Sequence, residues 1–86
     1  EPCLMCLGAL ILSGISEIVY AYEDIMGGGL SCDLKNLMPI YKNSRISFVP
    51  NILRKESLEL FQAFFNNPEN SYWQGSLLAD YTLRQP

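Results

Sequence analysis

The chain has 86 residues, 49% of them hydrophobic and 17% charged, and a formal net charge of −3. That composition is globular, too apolar for disorder and too short for more than one domain, so residues 1–86 are read as a single unit. Its six Lys and Arg are scattered, with only Arg54 and Lys55 adjacent, which excludes a phosphate-gripping basic patch within these residues.

The apolar runs fall short of the roughly 20 residues a membrane span needs. No basic-then-apolar leader opens the chain. Three cysteines, an odd number with two in a C-x-x-C arrangement, fit a reducing compartment better than a disulfide framework, so a cytoplasmic location is expected.

Pro2 suits the first turn of a helix, and Leu4 to Ser13 is apolar nearly all round, as in a helix covered on most sides. Gly14 is placed to end it as a left-handed cap. Glu17 to Tyr22 is β-branched and aromatic without clean alternation, which suits a strand buried on both faces of an α/β sheet. Glu23 to Gly29 is a loop whose three consecutive glycines are read as flexible or substrate-adjacent. It holds neither nucleotide-binding glycine pattern, which disfavours a phosphate cradle. Ser31 is expected to cap a short helix that Pro39 ends, and Arg45 to Val49 forms a second strand. The connection between the strands is some twenty residues long and contains a helix, so the pair is read as a parallel, right-handed β-α-β unit. Leu58, Phe61 and Phe65, widened by Leu60 and Phe64, mark a third helix over Leu53 to Phe65. Trp73, Leu77 and Tyr81, spaced by four, mark a last helix over Ser76 to Arg84 that packs back on the domain. The class is α/β, ordered helix-strand-helix-strand-helix-helix. Two strands are a thin foundation for an independent fold.

Chemistry concentrates at Glu1-Pro2-Cys3-Leu4-Met5-Cys6. Two thiols one helical turn apart share a face, and the helix N-terminus favours thiolates. Such a pair is half of a tetrahedral zinc site. Buried inert thiols and a thioredoxin-like redox pair are the competing readings. Cys32 is the one internal candidate for a third ligand, although a free Cys at a helix start needs no metal to explain it. There is no His in the chain.

The Pro2-Cys3-x-x-Cys6 run resembles the second half of the zinc signature of the cytidine, deoxycytidylate and tRNA adenosine deaminase superfamily, H-x-E…P-C-x-x-C. The following strand, acidic-then-glycine loop, crossover helix, Arg-initiated strand and aromatic helix are similar to that superfamily's tRNA adenosine and nucleotide branch over Glu1 to Asn66. The resemblance implies the C-terminal part of a three-layer α/β/α deaminase domain, with its N-terminal strands and H-x-E or C-x-E motif outside these residues. It implies zinc on Cys3 and Cys6, and an acid/base Glu and third ligand supplied upstream. Pro2 and Asp24 would lie near the substrate, Glu1 would order the loop, and the protein would form homodimers. The position of the family's D-x-K-x-G lysine is not lysine here, and the tail is not basic. The expected substrate is therefore a small cytosine, adenine or guanine nucleoside, nucleotide or base, with tRNA possible but not favoured. Residues 1–86 alone are expected to be inactive. A non-catalytic zinc-binding or interaction module that keeps the fold is the alternative, distinguished by whether an H-x-E or C-x-E lies upstream. Tyr72, Trp73 and Tyr81 are read as core or dimer contacts before a base-stacking surface.

Overall fold

The computed structural model describes residues 1–86. The elements run α1 (Leu4–Leu12), β1 (Glu17–Val19), a 3₁₀ turn (Leu34–Asn36), α2 (Pro39–Lys42), β2 (Ser47–Val49), α3 (Arg54–Asn66) and α4 (Leu77–Arg84). β1 and β2 pair in parallel, with Glu17 opposite Ser47, Ile18 opposite Phe48 and Val19 opposite Val49. The architecture is the expected α/β with a parallel crossover.

Helix α1 ends as its sequence dictates. Gly14 takes φ +80°, and the N–H groups of Gly14 and Ile15 return to the carbonyls of Ile11 and Leu10 at 3.1 Å each. Those two bonds satisfy carbonyls that the helix terminus would otherwise leave free. The strands are shorter than the apolar runs suggested. Beyond Val19 the chain keeps single bonds, Tyr20 N–H to the Val49 carbonyl and Ile52 N–H to the Tyr20 carbonyl, but no continuous ladder. Asn51 and Leu53, both left-handed at φ 65° and 58°, turn the chain out of β2 before pairing can extend.

The crossover departs from expectation. Asp33 rather than Ser31 caps the 3₁₀ turn, accepting from the Lys35 N–H at 3.1 Å. Pro39 opens α2 instead of ending a helix, because the first helical position needs no N–H. In α4 the stripe is displaced as well. Ser76 caps the helix by accepting from Ala79 N–H at 3.1 Å, but the buried residues are Ala79 and Thr82 while Leu77 is exposed. Trp73 lies outside the helix, and of the stripe counted from it only Tyr81 packs into the core.

The best-packed region lies where the end of β1 meets α3 and α4. Tyr22 and Leu58 are each only 4% exposed. The Tyr22 hydroxyl meets the Thr82 hydroxyl at 2.9 Å, and its ring lies 5.3 Å from Phe61 and 6.4 Å from Tyr81. Gln62 donates to the carbonyls of Thr82 and Gln85 at 3.1 and 2.9 Å, closing the C-terminus of α4 onto α3. Elsewhere cover is thin. Leu7 is the buried residue of α1, whereas Leu4, Met5 and Leu12 are exposed, so this chain alone does not cover the helix on most sides.

Candidate metal centre

Cys3 is the N-cap of α1 in extended conformation, and Cys6 lies in the first turn. The helix thus begins at Leu4, two residues after Pro2, with Cys3 and Cys6 three residues apart across its first turn. The Cys6 N–H, one of the donors the helix start leaves free, faces the Cys3 sulfur and holds that thiol below its ordinary value; the Cys6 thiol adds to this. Cys6 is pushed up in turn, first by its hydrogen bond to Cys3 and then by the charge there. Of the two thiols, Cys3 is therefore the more easily ionised.

A metal would find two soft sulfur donors on one helical turn, a fitting half of a zinc site. No third His, Cys, Asp or Glu joins them. Cys32 instead lies among Leu4, Leu7, Gly8 and Ile11 of α1 and residues of the crossover, lining an apolar pocket of about 290 Å³.

The glycine loop is not a free tether. Glu1 spans it, accepting from Asp24 N–H at 2.9 Å and from Leu30 N–H at 3.2 Å. Asp24 spends one carboxylate oxygen on the N–H groups of Met26 and Gly27, at 3.0 and 2.9 Å, and its carbonyl accepts from Gly28. Gly29 N–H reaches the Pro2 carbonyl at 2.8 Å, and Cys3 and Gly28 form an antiparallel bridge. Every N–H from Met26 to Leu30 thus has an acceptor. Gly29 is buried, and a Cβ there would stand 2.8 Å from the Leu4 nitrogen. A Cβ on Gly28 would collide with the Glu1 carboxylate. The glycines serve close approach to the cysteine turn rather than flexibility. Their juxtaposition with a Pro-Cys helix start was the available signal.

Asp24 also borders an open groove of about 600 Å³, walled by Phe61, Phe64, Phe65, Tyr72 and Trp73 among others. Tyr72 and Trp73 pack edge to face at 5.3 Å, while Tyr81 belongs to the core cluster. The sequence reading missed the pair next to Asp24. Arg54 Nε donates to Glu23 at 3.0 Å, its terminal nitrogen completes a two-pronged grip on the same carboxylate, and the Tyr81 hydroxyl donates to it at 2.8 Å. Arg54 brings the Glu23 carboxyl down to about 2, and Glu23 holds the Tyr81 phenol above its usual range. Each residue shortly follows a strand of one parallel pair, so both leave the sheet at the same end; that topology was the signal.

Known proteins resemble this chain over much of its length. A tRNA-specific adenosine deaminase of Bacillus subtilis (strain 168) is 36% identical over 66 residues, 76% of this chain and 40% of the relative. Over that stretch the chain is homologous to a protein of that name. Two further proteins with the same name, from Buchnera aphidicola, match it. The one from subsp. Baizongia pistaciae is 40% identical over 68 residues, covering 76% of this chain and 40% of the relative; the one from subsp. Schizaphis graminum is 29% identical over 69 residues, covering 78% and 44%. The homology agrees with the reading as a C-terminal portion of such a protein. The chain spans about two fifths of the length of these curated relatives. No family model matches it, and no solved structure matches it significantly.

Proposed function

We propose that the intact protein is a zinc-dependent hydrolytic deaminase of an amino-bearing nucleobase, and that residues 1–86 are the C-terminal part of its single catalytic domain. Cys3 and Cys6 would hold the zinc, with a third His or Cys ligand and a proton-transferring Glu contributed by residues outside 1–86. Bound zinc would supply a Lewis acid that brings the pKa of its water near neutrality. The observation that carries the reading is the Cys3–Cys6 pair at the start of α1, in a chain homologous to deaminases.

The chain's own residues have definite tasks in this reading. Cys3 and Cys6 would both give up their protons on metal binding, Cys3 the more easily. Pro2 bonds Gly29 through one lone pair of its carbonyl and keeps the second for the substrate's amino group. Asp24, whose loop is fixed against the cysteine turn, would lie near the substrate. All three cysteines are free, in keeping with the cytoplasmic location this reading carries.

The relatives are named for tRNA, and the preference for a small substrate finds no support among them. Adenosine in RNA therefore heads the substrate panel, ahead of free nucleosides, nucleotides and bases. Without a basic cluster in residues 1–86, the grip on an RNA backbone would come from the rest of the protein. The test is ammonia release by the zinc-loaded full-length protein on an anticodon stem-loop and on a panel of free nucleosides, nucleotides and bases. Release from one of them, abolished together with bound zinc in Cys3→Ser and in Cys6→Ser, is expected. No release from any would overturn the proposal.

A further inference from the structure

The geometry points to the glycine loop as a positioning strap for the metal half-site, with Gly29 as its contact point and Glu1 as its clasp. This rests on the metal reading of Cys3 and Cys6. Three independent features fix the strap on the residues just before α1. The first is backbone pairing: Gly29 N–H to the Pro2 carbonyl at 2.8 Å, with the Cys3–Gly28 bridge beside it. The second is close approach, since Gly29 is buried and a Cβ on it would lie 2.8 Å from the Leu4 nitrogen and 2.9 Å from the Cys3 carbonyl carbon. The third is the clasp, in which the two carboxylate oxygens of Glu1 hold the loop at both ends, Asp24 and Leu30.

Cys3 is the N-cap, outside the helical ladder, so the backbone of α1 alone does not fix its side-chain direction. The strap does. It presses on the peptide between Cys3 and Leu4 and pairs the residue on the other side. Any Cβ on Gly29 must push that peptide away, because the atoms it meets are backbone and cannot rotate aside. Displacing Cys3 moves its sulfur away from Cys6 and spoils the two-sulfur geometry. Metal ligands held by such neighbours lose about 10–100-fold in affinity when the neighbour is changed. Because Asp24 is part of the same strap, the arrangement also ties the substrate side of the proposed site to the ligand side.

The experiment uses the full-length protein and its Gly29→Ala, Glu1→Gln, Gly8→Ala and Cys3→Ser variants. Zinc affinity is measured against a competing chelator, the thiolate-to-metal charge-transfer band after cobalt substitution, and hydrogen exchange at the Leu7 amide, which bonds the Cys3 carbonyl at 2.9 Å. Gly29→Ala is expected to weaken zinc about 10–100-fold, to shift or shrink the charge-transfer band and to speed Leu7 exchange. Glu1→Gln, which leaves one loop N–H without its anionic acceptor, moves all three in the same direction by less. Gly8→Ala has open space around the new Cβ and leaves all three unchanged. If Gly29→Ala and Glu1→Gln both match wild type in zinc affinity and cobalt spectrum, the strap is overturned; if Gly29→Ala does not fold, Glu1→Gln decides by the same readings. If Cys3→Ser binds zinc as tightly as wild type, or wild type binds none, the metal reading fails instead. Leu7 exchange then decides the strap alone: faster exchange in the variants supports it, and unchanged exchange overturns it.

Discussion

Replacing Glu23 by Gln is expected to remove a pH-dependent part of the stability while leaving shape intact. Its carboxylate holds Arg54 through two hydrogen bonds and receives the Tyr81 hydroxyl, so three elements converge on one charge: the end of β1, α3 and α4. Its folded pKa of about 2 lies below the ordinary value of 4.5. A group depressed in this way stabilises the fold above its unfolded pKa, and that contribution is lost as pH falls from about 4.5 towards 2. Converted in full, the depression is worth about 3 kcal/mol. The two side chains remain 29% and 28% exposed, so solvent screening reduces this to about 1–2 kcal/mol. Urea denaturation of wild type and Glu23→Gln at pH 7 and at pH 2.5 isolates the effect, since every other carboxylate titrates in both proteins. Wild type should lose about 1–2 kcal/mol more than the variant between the two pH values. Equal losses would show that the ion pair does not hold the end of β1 against α3 and α4.

Thr82→Val leaves the buried Tyr22 hydroxyl without its partner and should cost about 1–3 kcal/mol, read as a lower denaturation midpoint; adding Tyr22→Phe should recover part of that loss. In metal-free protein, iodoacetamide at pH 7.5 followed by peptide mass analysis should label Cys3 ahead of Cys6, because the helix-start N–H groups favour charge on Cys3 and that charge disfavours Cys6. The isolated 86-residue chain should hold zinc poorly in a chelator competition and release no ammonia from any substrate, since two thiols are one ligand short of a catalytic site. The same chain should associate at micromolar concentration by light scattering, through apolar side chains such as Leu4, Met5 and Leu12 that it leaves exposed; a stable monomer would contradict this.

The sequence by itself determined the element order, the parallel crossover and the cysteine turn. Each of these is local or nearly so. A C-x-x-C at a helix start brings two cysteines within one turn of each other, Gly14 ends α1 through its own left-handed backbone, and a long connection containing a helix between two apolar runs favours a parallel pair. Only the tertiary structure decided which face of α4 is buried, because Trp73 lies outside the helix and cannot set its phase. It also decided the work of Glu23, Arg54 and the glycine loop. Arg54 meets a carboxylate 31 residues earlier, and Gly29 closes on a carbonyl 27 residues before it. Contacts of that separation leave no periodicity in a sequence, since they depend on two strands leaving the sheet at one end and on the room a missing Cβ provides. Three glycines in a row read equally as a loose tether or as a tight fit, and the physical difference is what stands opposite them: here, the backbone of Cys3 and Leu4.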